Sequence, residues 1–449
     1  MNLPNYFIAD LPPDHAVTPT LVTEACQTLK RNREQYLLGR STAGIIGVLG
    51  ATAQSWLEHD NPFRKLALER GVAETGLGEM TLARGLDAFF KSFTAENLQA
   101  LVAQDHGHAE RLDRFTGERG SNTTALARGP ELLVHIAAGN IPNPTILSLV
   151  LGFLTRSAQF VKCARGTSLL PRLFAHSIYE VEPKLAACLE IAEWPGGTEA
   201  LEERLFAEAD CVTATGSDET LAAIRRRLPW HTRMLGYGHR VSFGYVLPDA
   251  LARFELKKTI QRAAADVVAW NQLGCLSPHL FYIQHGAVSA EQFGELLAQE
   301  LATLETLEPR GPLKTEESAA IAARRSIHEM RAAGSEDTRL WKSENSTAWT
   351  VVYEADPQFQ LSCLNRFVYV KPVADLAGAL CHAEKVRGKV STVGLAGPVD
   401  QAQPLALQLA RWGVSRLCRL GEMQNPPLTW RHDGRPALGD LVTWTDWEQ

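Results

Sequence analysis

Several patterns that define common protein classes are absent from this sequence of 449 residues. Its eight cysteines include no CxxC pair, and no clustered Cys/His spacing suggests zinc, so we expect no metal site. The GxGxxG fingerprint of dinucleotide-binding sites is missing as well. The longest mostly apolar stretch, residues 141–154, contains two prolines and is too short to cross a bilayer, so we expect no membrane span.

The net charge and the placement of the cysteines further limit the kind of protein that this chain can be. The net charge of −6 gives no electrostatic support for binding nucleic acid. The first residues lack the basic start and apolar run of a secretory signal, and the cysteines are scattered singly, which together predict a reducing, cytoplasmic environment. At 45% hydrophobic and 21% charged residues, the composition is that of a globular enzyme with two or three domain-sized units.

The first 120 residues have the apolar spacing of amphipathic helices. Leu82, Leu86 and Phe90 recur at helical intervals, and Thr94 is placed to cap the next helix. After this region, short apolar strands alternate with helices, which predicts a parallel sheet that binds nucleotides at its strand ends. The predicted strands cover residues 132–137, 160–163 and 211–214, with helices at 144–157 and 218–227.

A second region of alternating strands and helices begins near residue 241. We predict strands at 279–284, 347–353, 366–370, 392–395 and 416–418, and helices at 249–270, 290–306, 315–333 and 405–412. The fold class is therefore α/β.

Two strand ends offer candidate phosphate contacts. Gly139 and Asn140 follow the first strand directly before a helix, and Gly216 and Ser217 open a helix after the third. Helix starts of this kind present free backbone N–H groups to an anion, and glycine allows close approach. Ordinary strand-to-helix turns have the same pattern, so this alternative stays open.

Lys162 and Arg165 lie at the end of the second predicted strand. A nucleotide ribose rests at this place in a doubly wound sheet, where an arginine suits the 2′-phosphate of NADP and a carboxylate suits the free hydroxyls of NAD. The pair therefore indicates NADP, with two solvated basic residues as the alternative.

Cys275 is the candidate nucleophile. Gly274 precedes it and Pro278 follows, so we predict that its thiol lies on a turn rather than inside a packed element. A reactive thiol has to be accessible and activated. Most free cysteines are structural, and spacing alone does not decide between these two interpretations.

Taken together, these residues resemble the aldehyde dehydrogenase superfamily in order and approximate spacing. More closely, the chain resembles the acyl-CoA reductase (LuxC) family, the fatty acid reductase of bacterial bioluminescence. The resemblance runs along essentially the whole chain and rests on QLGCLSP at 272–278, GHRVS at 238–242, NRFVYV at 365–370, TVG at 392–394 and HDG at 432–434.

The resemblance implies an aldehyde dehydrogenase-like fold in three parts. These are a helical N-terminal region at 1–120, a Rossmann-type cofactor-binding domain at 121–243 that 391–449 completes, and an α/β catalytic domain at 244–390. It also implies an NADPH-dependent reduction of a fatty acyl thioester to a fatty aldehyde through acyl-Cys275. The Cys275 backbone N–H and the Asn140 side chain would bind the oxyanion.

Two departures from the superfamily pattern sharpen this expectation. Members that hydrolyse their acyl-enzyme carry a glutamate base where this chain has Met234, so reduction is favoured over aldehyde oxidation. His239 is then the nearest titratable group and a candidate acid or base, with a structural histidine as the alternative. NAD-preferring members often have glutamate where Arg165 stands, which strengthens the NADPH interpretation.

Two other functions remain open, as does the acyl donor. An aldehyde-oxidising or CoA-acylating dehydrogenase would use the same scaffold, and a non-catalytic partner in an acyl-transfer complex would keep only the fold. The donor is an acyl-CoA, an acyl carrier protein or an acylated partner such as an acyltransferase or acyl-protein synthetase. Because family members commonly oligomerise, we expect a homo-oligomer.

Overall fold

A computed structural model describes residues 3–12, 15–117, 120, 122–137, 139, 141–252 and 255–448. The N-terminal region is helical, as predicted. Thr94 caps the fifth helix, since its hydroxyl accepts a hydrogen bond from the Asn97 backbone N–H at 3.1 Å. The helices are α1 (Pro19–Asn32), α2 (Thr42–Leu57), α3 (Pro62–Thr75), α4 (Glu79–Lys91) and α5 (Ala95–His106).

A five-stranded parallel sheet follows a short antiparallel pair, β1 (Thr116–Gly117) and β2 (Thr123–Arg128). Its strands are β3 (Leu132–Ile136), β4 (Ala158–Cys163), β5 (Leu189–Glu193), β6 (Cys211–Thr215) and β7 (Arg233–Tyr237), in the order β5-β4-β3-β6-β7. The helices between them are α6 (Asn143–Leu154), α7 (Leu169–Val181), α8 (Pro183–Ala186), α9 (Glu199–Glu208) and α10 (Asp218–Arg227). We call this sheet the cofactor sheet, after the cofactor-binding role that the sequence predicts for it.

Helix α6 ends three residues before its predicted end, and Arg156 explains why. This residue is left-handed, with φ 55°, which an α-helix excludes. Its buried guanidinium instead donates to the carbonyls of Arg40 and Leu112 at 2.8 and 2.7 Å. Tertiary hydrogen bonds thus override the apolar pattern that predicted helix to residue 157.

A second sheet has seven strands, and we call it the catalytic sheet after the role predicted for its region. In order it reads β10-β11-β12-β9-β8-β13-β14, and only the β10–β11 pair is antiparallel. The strands are β8 (Val241–Val246), β9 (Pro278–Gln284), β10 (Thr338–Lys342), β11 (Thr350–Glu354), β12 (Phe367–Val373), β13 (Val390–Ala396) and β14 (Arg416–Arg419). The helices are α11 (Leu256–Val268), α12 (Ala290–Leu307), α13 (Thr315–Gly334), α14 (Leu376–His382) and α15 (Val399–Trp412).

The strand pairing differs from the predicted assignment of residues 391–449 to the cofactor domain. Strand β13 pairs with β8, and β14 pairs with β13, so both belong to the catalytic sheet. Only the last strand, β15 (Thr443–Glu448), returns, to pair with β2. The apolar pattern of β13 marks a buried strand but carries no information on which sheet receives it.

The predicted helix at 249–270 is also shorter than expected. A 3₁₀ turn, Pro248–Leu251, precedes α11, and the chain becomes left-handed at Trp270, with φ 52°.

Among the described residues, no helix combines the length and apolarity needed to cross a membrane.

Candidate active site

Cys275 lies on a turn between α11 and β9, as the flanking glycine and proline predicted, and is half-buried. The turn is fixed at its backbone, because Ser277 N–H donates to the Gly274 carbonyl at 3.0 Å and the Ser242 hydroxyl to the Cys275 carbonyl at 2.8 Å. A side chain at position 274 would meet the Gln424 amide oxygen 3.0 Å from its Cβ. Glycine therefore lets the Gln424 side chain approach the turn at residues 274–277, which we call the nucleophile turn after the role predicted for Cys275.

The residues before Cys275 adopt a rare backbone conformation. Trp270, Asn271 and Gln272 are consecutive left-handed residues, with φ of 52°, 49° and 65°. A second such run, at residues 364–366, packs against the first, and Asn365 N–H donates to the Asn271 carbonyl at 3.0 Å. Left-handed non-glycine residues cost about 1–2 kcal/mol each, so surrounding contacts must hold both runs in place.

Arg366 supplies many of these contacts from a fully buried side chain. Its Nε donates to Asn271 Oδ1 at 3.0 Å, and Nη1 reaches both the Glu305 carboxylate at 2.9 Å and the Glu308 carbonyl at 2.8 Å. The Gln272 amide also donates to the carbonyls of Pro278 and Phe367, at 2.7 and 2.9 Å. The nucleophile turn is therefore held from α12, β9 and β12.

The surroundings of the Cys275 thiol disfavour its ionisation. Burial raises the pKa of Cys275 to about 12, with a further increase from the negative charge of Asp433. Its own backbone N–H and the Arg240 guanidinium lower this pKa by smaller amounts. The thiol is therefore neutral near pH 7 and must lose its proton when it attacks an acyl group.

Asp433 and Arg240, whose charges shift this pKa in opposite directions, form an ion pair with Nε and Oδ2 separated by 3.1 Å. An aromatic stack supports the turn that carries Asp433. Tyr237 and His432 are stacked with ring centroids 4.5 Å apart, and the Trp430 ring lies 4.7 Å from that of His432 in a tilted arrangement. Neither Asp433 nor Arg240 is among the site residues predicted from the sequence, although both lie inside motifs that carry the resemblance.

The predicted cofactor residues lie together at the carboxyl ends of β3, β4 and β6. Lys162 is the fifth residue of β4 and is 4% exposed. Its ammonium nitrogen would lie 4.0 Å from a Cβ on Gly196, and no described residue accepts a hydrogen bond from it. A buried, unpaired ammonium group beside a glycine fits a ribose hydroxyl or phosphate oxygen, so the site suits a nicotinamide dinucleotide.

Gly216 and Ser217 begin α10 after β6, and the Ser217 hydroxyl accepts the Thr220 N–H at 3.2 Å as the helix cap. Arg165 is exposed after β4. Glu193, at the end of β5, was missed in the sequence; its carboxylate accepts the Gly166 N–H at 2.7 Å. An acid at a strand end was the signal that could have found it.

Met234 lies on β7, and His239 follows two residues after the end of that strand. The His239 side chain is exposed, and its backbone N–H donates to Asp218 at 3.2 Å. Met234 packs against the apolar cluster of the cofactor sheet.

Asn140, the predicted oxyanion donor, lies outside the described residues. Among the described residues, no group of three or more His, Cys, Asp or Glu side chains could hold a metal ion.

Known structures with the same fold support this architecture. The NAD-dependent benzaldehyde dehydrogenase from Corynebacterium glutamicum superposes with a TM-score of 0.71 at 12% identity, covering 96% of this chain and 91% of its own. The NADP-dependent glyceraldehyde-3-phosphate dehydrogenase from Bacillus halodurans C-125, complexed with NADP, gives 0.72 at 13% identity, covering 96% and 92%. The fold is therefore aldehyde dehydrogenase-like, as the resemblance implied.

Sequence relatives are more specific. The long-chain acyl-protein thioester reductase of Aliivibrio fischeri is 23% identical over 447 residues, covering 97% of this chain and 88% of its own length. The Vibrio harveyi protein of the same name is 22% identical over 421 residues, covering 92% and 84%. The family model for acyl-CoA reductase (LuxC) matches residues 39–444. This chain is therefore an oxidoreductase that belongs to the acyl-CoA reductase (LuxC) family.

Proposed function

We propose that this enzyme reduces a fatty acyl thioester to a fatty aldehyde with NADPH, through an acyl-Cys275 intermediate. The observation that carries the proposal is the Cys275 thiol on a clamped turn, with a free Lys162 ammonium group on the cofactor sheet. The names of the relatives, long-chain acyl-protein thioester reductases, support a fatty acyl thioester as substrate.

In this proposal, the Cys275 sulfur attacks the thioester carbon and expels the carrier thiol. The Cys275 backbone N–H, together with the Asn140 amide, would donate to the developing oxyanion. When bound, NADPH supplies the hydride that reduces the acyl carbon. The tetrahedral adduct then breaks its C–S bond, so that Cys275 is regenerated and aldehyde leaves.

The side chains on β7 support reduction rather than hydrolysis. Met234, where hydrolysing relatives carry their glutamate base, packs into the apolar cluster of the cofactor sheet. A thioether neither accepts the proton of water nor orients it, so the acyl-enzyme persists until it is reduced. An aldehyde-oxidising or CoA-acylating dehydrogenase is the second candidate, and a non-catalytic scaffold is the third. Aldehyde supplied with NADP and with or without CoA tests the second directly.

The charged groups at the strand ends of the cofactor sheet favour different cofactors. The exposed guanidinium of Arg165 favours the 2′-phosphate of NADPH, whereas a carboxylate such as Glu193 favours the free hydroxyls of NADH. We propose NADPH because the Glu193 carboxylate already accepts the Gly166 N–H, while Arg165 has no acceptor among the described residues. Lys162, Gly216 and Ser217 complete the proposed cofactor site.

Replacing the nucleophile tests the proposal. In Cys275→Ala, we expect reduction of acyl-CoA to fall at least about a thousandfold, and covalent labelling by radioactive acyl-CoA to disappear. Cys363→Ala is the matched control, because Cys363 is also half-buried and free. NADPH should discharge the label from the unmodified enzyme as fatty aldehyde. If Cys275→Ala still reduced acyl-CoA at the unmodified rate, the proposal would be wrong.

The acyl donor is tested with a panel of acyl-CoAs, acyl carrier proteins and acylated partner proteins, with NADPH and NADH compared. We propose an acyl-protein as a donor because the relatives' names specify one. His239 remains a proposed acid or base in this scheme. The domain boundaries at 120 and 243 and the homo-oligomer also remain proposals.

A further inference from the structure

The Gln424 side chain contacts the nucleophile turn, and no step of the proposed reaction uses it. Its amide nitrogen donates to the Ser277 hydroxyl, and its amide oxygen lies 3.0 Å from the position of a Cβ on Gly274. Ser277 is buried, and its N–H closes the turn on the Gly274 carbonyl at 3.0 Å. Gln424 is therefore packed against both ends of the turn that carries Cys275.

Gln424 belongs to a short stretch after β14, residues 420–425, which we call the 420–425 segment. The Leu420 N–H still donates to a carbonyl of β13 at 2.9 Å, and the chain then turns, with the Asn425 N–H donating to the Glu422 carbonyl at 3.3 Å. A turn hydrogen bond of this length is weak. Contacts from outside the segment must therefore hold Gln424 in place.

Asp266, on α11, supplies one set of these contacts. It is 1% exposed, and its two carboxyl oxygens accept the backbone N–H groups of Gly421 and Met423 at 2.6 and 2.9 Å. Gly421 is left-handed, with φ 93°, and a Cβ there would lie 2.8 Å from Arg262 Cγ on the same helix. Glycine thus lets the 420–425 segment approach α11 closely enough for both hydrogen bonds.

Arg416, on β14, holds the same segment by its carbonyl groups. This buried guanidinium donates from Nη1 to the Met423 carbonyl at 2.6 Å and from Nη2 to the Glu422 carbonyl at 2.8 Å. Hydrogen bonds to ionised groups are about twice as strong as neutral ones. Two buried side chains of opposite charge therefore fix the backbone of the segment, one through its N–H groups and the other through its carbonyls.

Asp266 also lies on the helix that leads into the nucleophile turn. Helix α11 ends at Val268, shortly before Cys275. The Asp266 carboxyl group joins this helix to the 420–425 segment, and Gln424 joins the segment back to the turn. The contacts therefore form a closed ring from α11 through the segment to the nucleophile turn.

We propose that Asp266 and Gln424 are positioning residues for Cys275, with Asp266 holding the 420–425 segment and the Gln424 amide holding the nucleophile turn. The inference rests on the proposed function, in which the Cys275 sulfur attacks a thioester carbon. This attack requires the sulfur to approach the carbonyl at a defined distance and direction, and a displacement of about 1 Å can cost about a hundredfold in rate. Both residues act through the turn rather than on the reacting atoms.

Single-turnover acylation of the full-length enzyme by radioactive acyl-CoA tests this role. Burial raises the pKa of Asp266 to about 7, so the reaction is followed at about pH 8, where this carboxyl group is ionised. In Gln424→Ala and in Asp266→Asn, we expect the maximal acylation rate to fall about ten- to a hundredfold, while the acyl-CoA concentration that gives half of this rate changes less than about twofold. Asn425→Ala, which removes the exposed amide next to Gln424, is the control and should leave both values unchanged.

A double-mutant cycle separates positioning from general damage to the fold. If Asp266 acts through Gln424, then adding Asp266→Asn to Gln424→Ala should lower the acylation rate by no more than about a further twofold. Independent effects would multiply instead, and the double variant would then be slower by both full factors. Ser277→Ala removes the acceptor of the Gln424 amide and should match the loss in Gln424→Ala.

Hydrogen exchange of the enzyme without substrate gives a second readout. Asp266→Asn leaves one N–H group of the 420–425 segment facing an amide NH₂ group, so exchange should become faster both in residues 420–425 and in residues 273–278. Gln424→Ala should make exchange faster in residues 273–278 alone. Faster exchange in residues 420–425 alone in Asp266→Asn would contradict the coupling of the segment to the turn.

Acylation rates in Gln424→Ala and Asp266→Asn equal to that of the unmodified enzyme would overturn the assignment, as would factors that multiply in the double variant. A rise only in the half-saturating acyl-CoA concentration would also overturn it, because Gln424 would then bind the substrate. If neither acyl-CoA nor acyl carrier protein labels Cys275 in the unmodified enzyme, the proposed function fails. The hydrogen-exchange pattern distinguishes that outcome from a failure of the positioning role.

Discussion

The nucleophile turn and the cofactor strand ends of this enzyme are organised in opposite ways. Around Cys275, two left-handed runs are cross-linked by backbone and side-chain hydrogen bonds, and Arg366, which ends the second run, binds Asn271 in the first. At the cofactor sheet, Lys162 has no acceptor among the described residues, and Arg165 and Ser217 are exposed. The difference indicates that Cys275 is positioned by the protein alone, whereas the proposed cofactor side leaves the Lys162 ammonium group unpaired for a ligand.

Loss of the Arg366 side chain should destabilise the turn that carries Cys275 and so remove the contrast with the cofactor side. In Arg366→Leu, the Asn271 and Glu305 side chains lose a buried partner, and we expect the free energy of unfolding to fall by about 3–5 kcal/mol. Urea denaturation measures the change. Arg339→Leu removes a half-exposed pair with Glu291 and should cost less than about 1 kcal/mol. Similar losses in both variants would show that the clamp does not hold the turn.

A methyl group on helix α4 should displace the nucleophile turn from outside. An ideal Cβ at Gly85 lies 2.3 Å from Trp270 Cζ2, so Gly85→Ala forces the indole to move. We expect a loss of about 1–3 kcal/mol in unfolding free energy, with slower alkylation of Cys275. Gly47→Ala, on α2 with no atom within 4 Å of its Cβ, should instead stabilise the protein. A stable Gly85→Ala variant would contradict the packing described here.

Removing the unpaired ammonium group tests the cofactor side. We expect Lys162→Met to raise the Kd for NADPH about tenfold or more, since a charge-assisted hydrogen bond is lost, while thermal stability stays close to that of the unmodified protein. Fluorescence titration measures the affinity. Lys65→Met, an exposed lysine on α3, serves as the control. A large fall in Tm without a change in Kd would make Lys162 a structural residue.

The smallest effect concerns a histidine inside the cofactor sheet. Burial lowers the pKa of His135 to about 4, from 6.5, and its ring contacts Thr213 and Gln159 at 2.7 and 2.9 Å. Between these two pKa values, the His135 ring is protonated in the unfolded chain and neutral in the folded chain. The free energy of unfolding therefore falls as the pH drops. His135→Gln should remove this slope, which is at most about 1.4 kcal/mol per pH unit. Parallel stability curves for both proteins would exclude a neutral buried His135.

Local patterns predicted most of the secondary structure and the turn that carries Cys275. The strand at residues 132–137 and the Thr94 cap follow from apolar runs and side-chain chemistry near each position, and the structure confirms both. The C-terminal strands were assigned to the other sheet because β13 and β14 find their partners across long stretches of chain. The left-handed runs were missed because Trp270 and Leu364 have no local preference for that conformation.

The sequence by itself determined the alternation of strands and helices, the position of Cys275 on a turn and the presence of methionine rather than a carboxylate at position 234. These are properties of residue type and short spacing. Only the tertiary structure decided that Arg366 clamps the turn and that Arg240 pairs with Asp433, 193 residues further along the chain. Contacts between such distant positions depend on how the sheets pack, and no local pattern encodes that packing.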